Sequence, residues 1–183
     1  MRVKPATYKW APLALGLILV VALLAITMLR GEWSPSEPTV KCSLKSLSGS
    51  GEVNVEYLGR SGFKTLKVNL SEWGEIAREL ERLGYKGECV IALGLTTCPY
   101  CKSLERFLAQ NYGGITMWLY VDKSIELRDA ASKIVMLELK WGVPADEALA
   151  VPNVIVIDKN GTPKYVIIGA YLDKKLWDSL LYS

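Results

Sequence analysis

The chain has 183 residues, with 22 Lys and Arg, 19 Asp and Glu, and no histidine. Without histidine, nucleophiles activated by His and metal sites with His ligands are excluded. Four of the basic residues and none of the acidic ones lie in residues 1–30, so the remainder is nearly neutral. A neutral surface does not suit nucleic acid, and no nucleic-acid partner is expected. Sulfur chemistry would use the four cysteines: Cys42, Cys89, Cys98 and Cys101.

An uncharged apolar stretch of 19 residues spans residues 11–29. A helix of that length roughly matches the hydrocarbon core of a bilayer, which is about 30 Å thick. No signal-peptide cleavage site of the usual small-residue type follows the stretch. Residues 1–30 are therefore predicted to be a membrane anchor with one transmembrane helix. The basic cluster ahead of the helix favours a single-pass protein whose C-terminal domain is extracytoplasmic.

The rest of the chain is predicted to alternate between strands and helices. Residues 31–40 contain two prolines and predict a linker, and residues 41–60 predict a hairpin extension turning at Ser-Gly-Ser-Gly, 48–51. Strands are predicted at 63–68, 89–95, 115–121, 154–157 and 165–168, and helices from the N-cap Ser71 to 83, after Cys98, at 124–141 and at 173–181. This order predicts an α/β fold with a central mixed sheet flanked by helices.

Cys98 and Cys101 are the most informative residues, because Pro99 and Tyr100 separate them at the start of a predicted helix. Proline suits the first helical position. Two cysteines three apart on the first turn place both sulfurs on one side of it, and the N–H groups there favour the thiolate of Cys98. The thiolate is the nucleophile of disulfide exchange, so Cys98 is predicted to attack and Cys101 to resolve the mixed disulfide.

Three other roles are conceivable for the cysteine pair. A structural zinc site needs four ligands, and only Cys42 and Cys89 remain as sulfur donors. A structural disulfide across two residues is strained and labile. A copper(I) carrier is the remaining alternative, since thiolates favour that ion. The prediction is a site without metal or cofactor.

Over roughly residues 61–183 the sequence resembles the thioredoxin superfamily. The strand, the Cys-Pro-Tyr-Cys motif and the following helix look like its active site, with the Pro-Tyr pair typical of glutaredoxins. Val151-Pro152 looks like its cis-proline loop. The resemblance implies a thioredoxin-like fold for 61–183. It implies a catalytic pair and four substrate-binding residues: Cys98 and Cys101, and Pro99, Tyr100, Val151 and Pro152.

The sequence departs from the thioredoxin pattern at two places. Thr97 replaces the Trp that precedes the motif in thioredoxins, and residues 91–93 carry no buried carboxylate. The proton of Cys101 must therefore go to water, to another group such as Asp122, or to the substrate.

The predicted function is a thiol–disulfide oxidoreductase acting on client proteins. It would either oxidise its clients or reduce them, as a reductase serving cytochrome maturation does. The direction of electron flow, the redox-recycling partner and glutathione dependence stay open. Whether Cys42 and Cys89 pair, which would close a long loop, also stays open.

Overall fold

The computed structural model describes residues 40–44, 51–60 and 62–182. The predicted anchor at 1–30, nearly all of the predicted linker and most of the predicted turn at 48–51 lie outside these residues. Within the described part of the chain, no helix is long and apolar enough to cross a membrane.

The described residues form six strands and five helices. The strands are β1 (Glu52–Gly59), β2 (Gly62–Asn69), β3 (Val90–Gly94), β4 (Thr116–Tyr120), β5 (Asn153–Ile157) and β6 (Pro163–Ile168). The helices are α1 (Leu70–Arg82), α2 (Pro99–Tyr112), α3 (Ile125–Trp141), α4 (Ala145–Ala148) and α5 (Lys174–Tyr182).

All six strands form one mixed sheet in the order β2-β1-β6-β5-β3-β4. β1 is antiparallel to β2 and parallel to β6. β5 is antiparallel to both β6 and β3, and β3 is parallel to β4. The prediction of an α/β fold with a central mixed sheet flanked by helices is confirmed.

The central strands β3 and β5 are buried along their whole length, which explains why they are continuous apolar runs. On one face Ile91, Leu93 and Ile155 belong to a core that also contains the buried residues of α1 and α3. On the other face Val90 and Val154 share a core with α2 and α5. The sheet is thus a middle layer with helices on both sides.

The hairpin at the edge of the sheet differs from the prediction. β1 pairs with β2, and Gly59 lies opposite Gly62, so the two strands are joined by only two residues. The strand predicted just after residue 40 is wrong: residues 40–44 form no strand. They run across the end of the sheet instead, where the Cys42 N–H donates to the carbonyl of Gly87.

Two local predictions on the helices also need correction. The N-cap of α1 is Asn69, whose Oδ1 accepts a hydrogen bond from the Ser71 N–H at 3.0 Å, rather than Ser71 itself. Asn is as good a cap as Ser, and it begins the helix two residues earlier. The short α4 was not predicted, because a single turn leaves no periodic pattern to recognise.

Cys42 and Cys89 form a disulfide bond, with a Cα–Cα distance of 5.1 Å and a sequence separation of 47. The bond ties the segment 40–44 to the residue that precedes β3. Both cysteines are buried. The pairing that the sequence left open is therefore present in the structure.

Candidate active site

The Cys-Pro-Tyr-Cys motif lies at the start of α2, just after the loop that follows β3. Cys98 is the N-cap of α2, Pro99 is in its first turn, and the Cys101 N–H donates a hydrogen bond to Cys98 Sγ at 3.2 Å. A side chain that accepts from a backbone N–H is what an N-cap position requires. The Cys98 sulfur therefore accepts a backbone hydrogen bond at the positive end of the helix dipole.

The two thiols of the motif have different surroundings. Neither forms a disulfide, and Cys98 is partly exposed whereas Cys101 is fully buried. Burial, and then the hydrogen bond with Cys98, raises the pKa of the Cys101 thiol to about 12. The accessible sulfur is Cys98, and Cys101 lies behind it.

The loop before β5 brings Val151 to the motif, although 53 residues separate Val151 from Cys98. Cys98 Sγ lies 4.0 Å from the carbonyl oxygen of Val151. The Val151–Pro152 peptide bond is cis, which confirms that prediction. Pro152 is buried, while Pro99 and Tyr100, the two middle residues of the motif, are exposed, Tyr100 to 69%.

Asp122, one of the groups considered for proton transfer, anchors the turn that precedes Cys98. Its carboxylate accepts hydrogen bonds from the Thr96 N–H at 2.9 Å and from the Thr96 hydroxyl. These bonds hold the pKa of the Asp122 carboxyl below its ordinary value, which makes it a weaker base. Its contacts therefore suit it to hold the turn better than to accept a proton.

Aromatic rings line the space behind Cys101. Trp118 and Tyr120 of β4 stack at a centroid distance of 5.3 Å. They lie against Gly94, where an added Cβ would be 3.2 Å from Trp118 and 3.3 Å from Cys101 Sγ. The Tyr120 hydroxyl donates to Glu105 at 2.8 Å. These residues were missed, although the i+2 spacing on a strand and the i+4 spacing from Cys101 to Glu105 on α2 could have indicated them.

A buried polar pair lies behind the Val151–Pro152 loop. Asn153, the first residue of β5, donates from Nδ2 to Glu138 Oε2 of α3 at 2.6 Å and to the Ala148 carbonyl at 3.1 Å. Both side chains are fully buried. Burial raises the pKa of the Glu138 carboxyl to about 8, and the bond from Asn153 opposes the shift. Sequence reasoning missed this pair, because one glutamate in a helix is ordinarily solvated.

An apolar groove of about 410 Å³ adjoins the motif on the α3 side. Val151 and Leu95, the neighbours of Cys98 in the two loops, are part of its lining. Its lining includes Met136 and Leu149, residues that are 60% and 72% exposed. Large apolar side chains in contact with water offer a surface on which an apolar segment of another molecule could lie.

Cys42 and Cys89 are not available as metal ligands beside the motif, because they are bonded to each other and Cys89 lies at the other end of β3. Among residues 40–44, 51–60 and 62–182, no three or more Cys, Asp or Glu are grouped closely enough to hold a metal ion.

Comparison with models of known protein families and with curated proteins found no match to this chain. The chemistry of the site follows from its own geometry. That geometry provides one accessible sulfur, one buried sulfur and a backbone carbonyl beside them. Such a set can exchange disulfides, or it can bind a thiophilic ion through two sulfurs.

Proposed function

We propose that the chain is a thiol–disulfide oxidoreductase of thioredoxin-like fold that exchanges disulfides with client proteins. The main support is the 3.2 Å hydrogen bond from the Cys101 N–H to Cys98 Sγ at the start of α2. The mixed sheet with helices on both faces is compatible with a thioredoxin-like fold, and so is the cis Val151–Pro152 bond beside Cys98.

The exchange has two steps, each of which breaks one disulfide and forms another. The Cys98 thiolate attacks a client disulfide, so that a Cys98–client bond forms and one client sulfur leaves as a thiolate. Cys101, once deprotonated, then attacks Cys98 Sγ and releases the second client sulfur. The client disulfide is reduced to two thiols, and Cys98 and Cys101 are oxidised to a disulfide. The reverse sequence oxidises the client.

The two cysteines take different roles because of their burial. A client sulfur can reach Cys98, which is partly exposed, but it cannot reach Cys101. The raised pKa of the Cys101 thiol keeps it protonated at neutral pH, so it attacks only when a base accepts its proton. The client thiolate released in the first step, water, or a nearby carboxylate such as Glu105 are candidates for that base.

The client would lie across the Val151 loop and the exposed side of the motif. The Val151 backbone faces Cys98, and Pro99 and Tyr100 present apolar surface next to it. The groove that Met136 and Leu149 help to line extends this surface. We expect clients with apolar residues close to the reacting cysteine, since burial of apolar area contributes most of the affinity of such contacts.

A trapping experiment tests the proposal. Cys101→Ser should accumulate mixed disulfides between Cys98 and client proteins, because the fast intramolecular exit from the intermediate is removed. Cys98→Ser, the matched control, should accumulate none. Both variants of the full chain keep Cys42 and Cys89. Adducts are detected on non-reducing gels of membranes prepared from cells that express each variant. Absence of Cys98-dependent adducts with Cys101→Ser would refute the proposal.

The same two variants separate the oxidoreductase from a copper(I) carrier. Two sulfurs on one helical turn are a suitable ligand pair for that ion. A carrier would lose copper(I) binding in both variants and would form no adducts in either. Copper(I) binding by the wild-type chain, with no adducts in either variant, would therefore favour the copper(I) carrier over the oxidoreductase.

The proposal includes a location, with residues 11–29 anchoring the chain as a single-pass protein and residues 61–183 on the extracytoplasmic side. The Cys42–Cys89 disulfide supports it, because disulfides persist mainly in oxidising compartments. The full chain should resist alkaline extraction from membranes, whereas a chain that begins at Trp33 should be released. Release of both would contradict the anchor.

A further inference from the structure

We propose that Glu138 is a positioning residue of the redox site, held as a neutral carboxyl group that pairs with Asn153 and thereby fixes the loop facing Cys98. The effect on exchange rests on the proposed function, but the pairing itself does not. Glu138 would act only through Asn153 and the loop, without contact with the client.

The Asn153 carboxamide closes the loop that carries Val151. Its Nδ2 donates one hydrogen bond to the Ala148 carbonyl at 3.1 Å and one to Glu138 Oε2 at 2.6 Å, which uses both of its hydrogens. Val151, whose carbonyl lies 4.0 Å from Cys98 Sγ, is between the two ends of this loop. The position of Val151 therefore depends on a side chain that Glu138 holds in place.

One proton would satisfy both remaining oxygens of the pair. Glu138 Oε1 and Asn153 Oδ1 are buried and have no hydrogen-bond partner among the described residues. While Glu138 is ionised, neither oxygen carries a hydrogen. Both can then only accept, so no hydrogen bond can form between them. A protonated Oε1 is a donor, and a carboxylic acid and an amide that lie edge to edge form two hydrogen bonds. Buried polar groups are rarely left without partners, which favours the neutral acid.

The titratable groups of β1 and α4 in this part of the core, Tyr57 and Glu147, pair with each other and not with Glu138. The Tyr57 hydroxyl donates to Glu147, and burial followed by this hydrogen bond raises the pKa of Tyr57. The bond from Tyr57 lowers the pKa of the Glu147 carboxyl, so Glu147 is negative at neutral pH. Neither Tyr57 nor Glu147 therefore gives Glu138 a hydrogen bond or a positive charge.

No cation among the described residues compensates Glu138. The lysines of α3 pair with acidic residues of α1 at the surface: Lys133 with Glu79, and Lys140 with Glu72. The lysines of β2, Lys64 and Lys67, are exposed. β4, which also packs against α3, has no charged residue. Burial without a counter-ion is thus the main cause of the raised pKa.

The neutral pair makes stability depend on pH in a defined direction. The pKa of the Glu138 carboxyl is raised from 4.5 to about 8, so the folded protein keeps a proton that the unfolded chain releases. The stability due to this proton is complete below about pH 4.5 and is lost as the pH rises to about 8. Above that pH, an ionised Glu138 leaves Asn153 Oδ1 without a donor, and the loop loses its fixed position.

Glu138→Gln tests the proposal, because its amide has the donor and acceptor of the neutral acid but cannot ionise. In the full chain it should keep the rate of client exchange at pH 7. The ratio of the wild-type rate to the Glu138→Gln rate should be close to one at pH 6–7. It should fall about tenfold by pH 9, the fold-change expected for one lost buried hydrogen bond. Taking the ratio cancels the rise in thiolate with pH that both proteins share.

Two further readouts do not depend on exchange. The melting temperature of the wild-type chain should fall between pH 5 and pH 8 more than that of Glu138→Gln, and the ratio of Cys98 alkylation rates should change over the same range as the exchange ratio. Asp129→Asn, which removes an exposed charge from the same helix, should behave like the wild type.

The outcomes distinguish the two proposals. If Glu138→Gln folds but loses exchange and shows altered Cys98 alkylation at pH 7, the site needs a charged carboxylate and the neutral pair is wrong. Equal pH dependence of wild type and Glu138→Gln in melting and alkylation would also overturn it. If the wild type exchanges no disulfides while melting and alkylation follow the prediction, the pair stands and the oxidoreductase proposal fails.

Discussion

The two cysteine pairs lie at opposite ends of β3 and have opposite properties. Cys89 directly precedes the strand and is bonded to Cys42, and both are buried. Cys98 and Cys101 follow the strand as unbonded thiols, one of them accessible. Residue type is the same at both ends, so the difference between the pairs comes from their positions in the fold.

Sequence separation explains part of this difference. The bond between Cys42 and Cys89 closes a loop across 47 positions and therefore removes many conformations from the unfolded chain. A disulfide between residues three apart closes only a very short loop. It removes few conformations from the unfolded chain, so its formation has little effect on stability. The first pair can serve stability, while the second can be opened and closed at little cost to the fold.

The largest expected effect separates the pairs by activity. Cys98→Ala should lower disulfide exchange by the full chain to the uncatalysed background, because Cys101 and the bonded pair are inaccessible to a client. The matched Cys42→Ala/Cys89→Ala double variant should keep its activity at temperatures where it is folded. Insulin reduction with a dithiol as electron donor measures both. An active Cys98→Ala variant would reverse the assignment.

Alkylation should distinguish the four sulfurs in a single experiment. Cys98 should react first at pH 7, because burial raises the pKa of the Cys101 thiol to about 12 and also keeps the reagent from its sulfur. Cys42 and Cys89 should stay unlabelled without reductant. Mass spectrometry after a short iodoacetamide pulse gives the order, and earlier labelling of Cys101 than of Cys98 would contradict it.

Removal of the buried disulfide should lower the free energy of unfolding by about 4 kcal/mol, from the entropy of closing a loop of this length. Urea unfolding of the Cys42→Ala/Cys89→Ala variant measures the change. The wild-type chain unfolded with a reductant separates the effect of the bond from that of the lost sulfurs. The control is the Cys98→Ala/Cys101→Ala variant. With reductant present, its urea midpoint should differ little from that of the wild type. Equal losses for both double variants would remove the distinction between the pairs.

The smallest effect concerns Gly94, the last residue of β3. Gly94→Ala should lower the free energy of unfolding by about 1–3 kcal/mol, because the new methyl group is crowded by Trp118 and by Cys101 Sγ at 3.2–3.3 Å. The rate of exchange should fall with it if Cys101 is displaced. Gly114→Ala is the control, since no atom lies within 4 Å of its added Cβ. Equal melting temperatures of the two variants would show that the space behind Cys101 is less tightly packed.

Local patterns predicted most of the secondary structure well. The central strands β3 and β5 were found because strands buried on both faces are continuous apolar runs. The hairpin of β1 and β2 was misplaced, because Ser-Gly-Ser-Gly at 48–51 is a stronger turn signal than the residues between Gly59 and Gly62. Turn-forming residues report only the conformational preference of a short segment. The pairing of β1 also depends on β6, more than 100 positions away.

The sequence by itself determined the Cys98–Cys101 pair, because residues three apart at the start of a helix meet through the geometry of one turn. Only the tertiary structure decided that Val151 reaches Cys98, that Cys42 bonds to Cys89, and that Glu138 is buried against Asn153. Each of these contacts joins separate elements. These contacts form because of the strand order in the sheet and the packing of helices on its faces. The few residues around a single contact do not encode that strand order or that packing.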